Sequence, residues 1–145
     1  MITKYRFGDP LQTDAVVNEL PAATGVFPVG NVETKDGFRF TFEMGAEDIV
    51  YGLGENVRGI NKRGFRYISF CTDDPHHQED KSSLYAAHNF LIVDQPQPFG
   101  LFLDYPGKMT FDVGYMKKDV LEISCERADL DVYVLTGDSP YDIVK

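Results

Sequence analysis

The sequence predicts an all-β domain, an antiparallel β-sandwich with the start of a helix at its C-terminal end. Three observations lead there. Apolar residues recur mostly at every second position, the period of a strand with one buried face. Between residues 84 and 136, turn signals separate the apolar runs at the spacing of about 8–12 residues per strand that marks sandwiches and barrels. Phe and Tyr, 11 and 8 in number with no Trp, raise the aromatic share to 13%, and aromatic side chains favour the pleated surface of a sheet.

The elements follow in chain order. Residues 13–19 read equally as a strand or a short helix. Phe38, Phe40 and Phe42 alternate with Arg39, Thr41 and Glu43, and the preceding Asp36-Gly37 is a hairpin signal. Phe90-Leu91-Ile92-Val93 and Phe99-Gly100-Leu101-Phe102-Leu103 read as more fully buried strands, and the two prolines of Gln95-Pro96-Gln97-Pro98 make a loop between them. Tyr105-Pro106-Gly107-Lys108 is a turn. The alternation resumes over 109–115, 120–125 and 129–135, with Asp129 and Asp131 pointing away from their apolar neighbours. Ser139 fits a helix N-cap and Pro140 the first helical position, yet only about a turn and a half follows. Isolated helices that short are unstable in water. The end of the chain is therefore expected to be either a frayed tail or the beginning of a longer element.

Charge and composition exclude several classes of function. With 14 Lys+Arg against 23 Asp+Glu in 145 residues, the formal charge is −9. Phosphate grooves and anionic bilayers attract concentrated Lys and Arg, so neither nucleic acid nor a membrane is an expected partner. No apolar run approaches the roughly 20 residues that span a bilayer. Met1-Ile2-Thr3-Lys4-Tyr5 lacks the long apolar stretch of a signal peptide, so the expected location is cytoplasmic. Cys71 and Cys125 form no CxxC pair, and no cofactor motif is present; reduced thiols are expected.

Two segments concentrate residues that could carry chemistry. The first, 51–64, has four glycines in fourteen residues. It lacks the third glycine of a dinucleotide fingerprint, and Glu55 stands where a phosphate would need N–H donors. Lys62 lacks the neighbours of a Walker A lysine. The residue chemistry alone reads as a structured turn with a salt-bridged Glu55. The second segment, Cys71-Thr72-Asp73-Asp74-Pro75-His76-His77-Gln78-Glu79-Asp80-Lys81, is the densest polar cluster. Three readings compete for it: a metal site using His76 with Asp73 or Glu79, a carboxylate pair for acid/base hydrolysis, and a solvated polar loop. Adjacent histidines point apart on an extended chain, and hydrolytic carboxylates face each other from different elements. The solvated loop remains able to lend one carboxylate to a sugar hydroxyl. His88 reads as a structural residue. No serine lies in GxSxG, and nothing marks Cys71 as an activated thiolate.

In order, Ile49-Val50-Tyr51-Gly52-Leu53-Gly54-Glu55, Asn61-Lys62-Arg63-Gly64, Thr72-Asp73, Ser83-Leu84-Tyr85, Phe99–Asp104, and Asp129–Leu135 with Ser139-Pro140 resemble the N-terminal domain of glycoside hydrolase family 31. The resemblance covers about residues 25–145, and bacterial α-glucosidases look most similar. It implies a sandwich of the galactose-mutarotase-like supersandwich type over 1–138. Residues 139–145 would then begin a helix leading to a (β/α)₈ barrel that lies outside this chain and carries the aspartate nucleophile and acid/base. It also implies that a loop, here about 70–82, reaches over the barrel mouth. Asp73 matches the aspartate that helps bind the sugar on the leaving-group side. Asp74, His76 and His77 lie on that loop without a fixed role. Gly52, Gly54, Glu55, Asn61, Lys62 and Arg63 are expected to hold the loop's base and the barrel interface.

Two functions are therefore carried forward. One is an accessory domain of a retaining α-glucosidase that acts on terminal α-linked glucose, with an oligosaccharide and its own barrel as partners and no catalysis alone. The other is a free-standing carbohydrate-binding or interaction module. An apolar exposed patch is expected on the face turned towards the barrel.

Overall fold

The computed structural model of the chain describes residues 1–13 and 19–145. Most of the 13–19 segment, whose structure was open between strand and helix, lies outside the described residues. In chain order the strands are β1 (Ile2–Phe7), β2 (Asn31–Glu33), β3 (Phe38–Glu43), β4 (Ile49–Gly54), β5 (Phe65–Ser69), β6 (Ala87–Asp94), β7 (Phe99–Asp104), β8 (Met109–Val113), β9 (Val120–Cys125) and β10 (Leu130–Thr136), followed by the helix α1 (Pro140–Val144). Sheet I has the order β1-β10-β7-β6-β4 and sheet II the order β2-β3-β9-β8-β5. The strand pairings in both sheets are antiparallel.

Period-two alternation sets the core. In sheet II, Phe38, Phe40 and Phe42 stand opposite Cys125, Ile123 and Leu121, which in turn adjoin Met109, Phe111 and Val113. In sheet I, Leu103 and Leu101 pair with Val132 and Val134, and Leu91 and Val93 continue the same face. These two inner faces form one cluster, almost all of it inaccessible to water. Tyr5, Phe7, Phe27 and Phe40 interlock edge-to-face near one end, with ring centroids 5.1–6.0 Å apart. The β2–β3 hairpin closes at Gly37, whose φ of 85° suits a glycine turn.

The outer faces differ. On sheet II, Arg39, Thr41, Arg66, Thr110, Asp112, Glu122 and Ser124 alternate outward from the core set. On sheet I the outward positions include Ile2, Tyr51, Phe90, Ile92, Phe102, Tyr133 and Leu135. Phe102 is 40% exposed and Ile2 55%. At one edge of this face, Arg6 makes a two-toothed bond to Asp131, at 2.9 and 2.8 Å.

The C-terminal segment is not a frayed tail. Ser139 caps α1 through its Oγ, which accepts from the Asp142 amide at 3.3 Å, and Pro140 occupies the first turn. Ile143 is only 6% exposed. A Cβ on Gly100 would come within 2.8 Å of Ile143 Cγ2, so the missing side chain of Gly100 is the seat of the helix on sheet I. Among the described residues, no helix is long and apolar enough to cross a membrane. Both cysteines are free. Cys125 donates to the Arg127 carbonyl, and burial pushes its thiol up to about 11.

Candidate functional site

The glycine-rich segment forms the end of β4 and the turn beyond it. Gly52, Leu53 and Gly54 have φ values of 115°, 67° and 75°, and the β4–β6 register shifts between Gly52 and Gly54. A Cβ at Gly54 would press into the Ala86 carbonyl and lie 2.8 Å from His88 Cδ2. The bulge swings the chain away from β6 while keeping it fastened. The Glu55 amide donates to Ala86 O at 2.7 Å, and the Glu55 carboxylate accepts from Ala86 N at 3.3 Å. Glu55 was expected in a salt bridge. It has none among the described residues, because a backbone amide takes its carboxylate instead. His88, read from sequence as a structural residue, lies exposed on β6.

Asn61, Lys62 and Arg63 tie the turn to the start of β4. Asn61 Oδ1 accepts from the amides of Val50 (3.3 Å) and Arg63 (3.2 Å), and the Lys62 amide donates to Val50 O at 2.8 Å. The Lys62 side chain is buried. Its ammonium donates to Gly59 O at 2.9 Å and lies 5.9 Å from the Tyr67 ring centroid; burial holds its pKa below the usual lysine value. Arg63 donates to the carbonyls of Gly45 (2.6 Å) and Asp48 (2.9 Å) and to Asp119 Oδ1 (2.9 Å).

The polar cluster forms a loop closed at its base. Ile68 N donates to Ser82 O and Thr72 N to Leu84 O, at 2.8 and 3.0 Å. Thr72 Oγ1 donates to Ser83 O at 3.1 Å, and the Ser83 hydroxyl donates back to Phe70 O. Beyond this zipper, Asp74 organises the loop. One of its oxygens accepts from the His76 amide at 3.0 Å, and the other meets Lys81 Nζ at 2.7 Å. Lys81 and that amide hold the Asp74 carboxyl below the usual range. His77 Nδ1 lies 3.1 Å from Asp74 O, and the His76 ring is exposed. Asp73 is exposed, and its carboxylate beside the Tyr85 hydroxyl raises the phenol's pKa.

Eight residues singled out from sequence thus fall into two groups. Asp73, Asp74, His76 and His77 share the loop, while Glu55, Asn61, Lys62 and Arg63 pin the glycine-rich turn below it. Among the described residues, no group of three or more His, Cys, Asp or Glu could hold a metal ion. Asp74 is committed to Lys81, whereas Asp73, Glu79 and Asp80 stand exposed on the loop. Of these, Asp73 is the one beside a phenol, that of Tyr85, and an exposed carboxylate there is suited to vicinal hydroxyls. Sequence reasoning missed two residues here. Tyr85 sat within a quoted motif without a role, and Arg58 sat unnoticed among the glycines. Arg58 Nε donates to Glu79 O and Nη1 to Arg66 O, both at 3.1 Å, and Nη2 to Asp80 O at 3.3 Å. An arginine close in sequence to two aromatic residues, Phe65 and Tyr67, was the available signal.

Comparison with known proteins agrees with this architecture. Residues 10–112 match a family model described as the glycosyl hydrolase 31 N-terminal galactose mutarotase-like domain. The alpha-xylosidase XylQ of Lactiplantibacillus pentosus is 26% identical over 117 residues, covering 80% of this chain and 15% of that protein. An alpha-xylosidase of Emericella nidulans is 24% identical over 103 residues, covering 71% and 13%. The chain thus spans about 15% of the length of the curated relatives it matches. Among solved structures, a GH31 dextranase from Flavobacterium johnsoniae complexed with glucose has a TM-score of 0.69 at 22% identity, covering 78% of this chain and 14% of that one. A cycloalternan-degrading enzyme from Trueperella pyogenes in complex with cycloalternan has a TM-score of 0.65 at 20% identity, covering 74% and 16%. At these identities the structural likeness establishes the fold.

Proposed function

Because the chain belongs to the glycosyl hydrolase 31 N-terminal galactose mutarotase-like domain family, we propose that it is the accessory sandwich of an α-glucosidase that removes terminal α-linked glucose from oligosaccharides with retention. Residues 1–138 are the sandwich, and 139–145 lead towards a (β/α)₈ barrel that carries the reaction. Retaining hydrolysis uses two carboxyl groups about 5 Å apart on either side of the scissile bond. In this reading both belong to the barrel, so the domain assists and does not catalyse. The assistance has two parts. The outer face of sheet I, with Phe90, Phe102, Tyr133 and the seated α1, packs on the barrel. The 70–82 loop carries Asp73 to the leaving-group side of the sugar.

The observation that carries the substrate role is the setting of Asp73: an exposed carboxylate on a loop zipped shut at its base. Glucose is favoured over xylose by the dextranase and the cycloalternan-degrading enzyme among the structural neighbours. The curated relatives named as α-xylosidases make xylose the competing sugar. The cytoplasm is the proposed location.

The test compares Asp73→Ala with the parent in the intact hydrolase on an α-glucosyl disaccharide and the matching α-xyloside. Losing a charged hydrogen bond to substrate should lower kcat/KM on the disaccharide about tenfold or more, with unchanged unfolding. An unchanged kcat/KM would remove Asp73 from the sugar site, and preference for the xyloside would replace glucose with xylose. Pure 145-residue chain should not hydrolyse a chromogenic α-glucoside; turnover proportional to its concentration would overturn the accessory role.

A further inference from the structure

We infer that Arg58 is a positioning residue for Asp73, acting as a latch that holds the far leg of the 73–81 loop against sheet II. The guanidinium donates to three backbone carbonyls, Glu79 O, Asp80 O and Arg66 O, at 3.1, 3.3 and 3.1 Å. Its Cζ lies over the Phe65 ring, 4.2 Å from the centroid, and 5.5 Å from that of Tyr67. Although the loop is rich in carboxylates, Arg58 makes no ion pair among the described residues. It grips the backbone of Glu79 and Asp80, so it fixes the path of the loop without consuming an acid.

The other fastenings act elsewhere. The zipper of Thr72, Ser83 and Leu84 closes the base. The Asp74–Lys81 pair crosses the loop but does not anchor it to a strand, and both side chains are about one-third exposed, where ion pairs contribute little. Arg58 therefore joins the glycine-rich turn, β5 and the loop into one unit. Arginine suits the task because its rigid fork supplies several donors while the same plane stacks on a ring; lysine offers a point charge and no plane. The consequence for the sugar rests on the Asp73 reading given above, whereas the latch itself does not.

The experiment has two arms. In the 145-residue chain, amide hydrogen exchange is followed in the parent, Arg58→Ala and Arg58→Lys. Exchange over 74–81 is expected to speed at least about tenfold in both variants, with β8 and β9 as protected as before. Unchanged loop exchange in Arg58→Ala overturns the latch. Faster exchange throughout the core makes Arg58 a general fold residue and overturns positioning, as does full rescue by Arg58→Lys. Should Arg58→Ala fail to fold, Phe65→Leu removes only the stacked ring and should loosen the same segment. In the intact hydrolase, Arg58→Ala is expected to raise KM for an α-glucosyl disaccharide severalfold with kcat nearly kept. Faster loop exchange with both constants unchanged would keep the latch but overturn both positioning and the substrate role of the loop.

Discussion

The two sheets present equivalent faces to each other and unlike faces to the outside. Inward, both offer Leu, Val, Ile, Met and Phe almost wholly removed from water. Outward, sheet II shows Arg39, Thr41, Arg66, Thr110, Asp112, Glu122 and Ser124, with Arg39–Glu122 and Arg66–Asp112 pairs at 4.0 and 3.4 Å. This is the polar exterior of a sheet whose second face meets solvent. Sheet I shows Ile2, Phe90, Ile92, Phe102, Tyr133 and Leu135, and Phe102 and Tyr133 are in ring contact at 5.7 Å. Towards β1 the same face carries Lys4, Arg6, Asp104 and Asp131, while the exposed apolar side chains around Phe102 are of the kind that marks an interaction site. The short α1 covers part of it through Ile143. The difference teaches that the alternation of a strand encodes two environments at once: the even positions of β10 specify a core, and its odd positions specify what the outside of the sheet must meet.

The largest test of this contrast is a steric one. Gly100→Val should collide with Ile143 and Leu135, lift α1 from sheet I and cost about 1–3 kcal/mol in urea unfolding. Thr110→Val on the outer face of sheet II should stay within about 0.5 kcal/mol. Equal costs would mean that the two outer faces do not differ in packing. Second in size, Phe102→Lys should leave the unfolding of this chain within about 1 kcal/mol of the parent but make the domain boundary of the intact hydrolase cleavable in limited proteolysis. If Thr110→Lys exposes the boundary equally, sheet I is not the docking face. The smallest effect is in alkaline solution. Burial on sheet I holds the Tyr133 phenol above its ordinary value of 10.0. The raised folded pKa gives stability that is full below 10.0 and lost as pH rises through the folded value. Tyr133→Phe should therefore move the alkaline unfolding midpoint upward, read by tyrosine absorbance and circular dichroism; an unmoved midpoint would mean that the face leaves this phenol as wet as in the unfolded chain.

Much of this was legible in the sequence, for a physical reason. β3, β8, β9 and β10 alternate because one side chain in two faces the core, and β6 and β7 read as continuous apolar runs because outward positions such as Phe90, Ile92 and Phe102 are apolar too. The strands that escaped notice break that pattern. In β1, Lys4 is buried beside Glu19 at 3.1 Å, and Arg6 is matched by Asp131, so charge stands where an apolar or solvated residue would be read. β2 has three residues, and β4 ends in glycines that read as a turn. β5 begins on Phe65, which is partly exposed beneath Arg58. At the candidate site, Asp73 and its neighbours were visible as a polar cluster and through their resemblance to a family loop. The contacts of Glu55 and Arg58 were not, because their partners are backbone groups of Ala86, Glu79 and Asp80, which leave no mark on side-chain composition.

One fastening has a meaning beyond the site. β4 is an outermost strand, and such a strand normally presents open N–H and C=O groups on which another chain can build. At Val50 both are occupied, the amide by Asn61 Oδ1 and the carbonyl by the Lys62 amide. Two residues later the left-handed turn at Gly52-Leu53-Gly54 bends the strand out of line. The domain thus guards one flank against templated growth into aggregates with the same residues that anchor its glycine-rich turn. A change at Asn61 would reopen that flank to strand addition even while the core stayed whole.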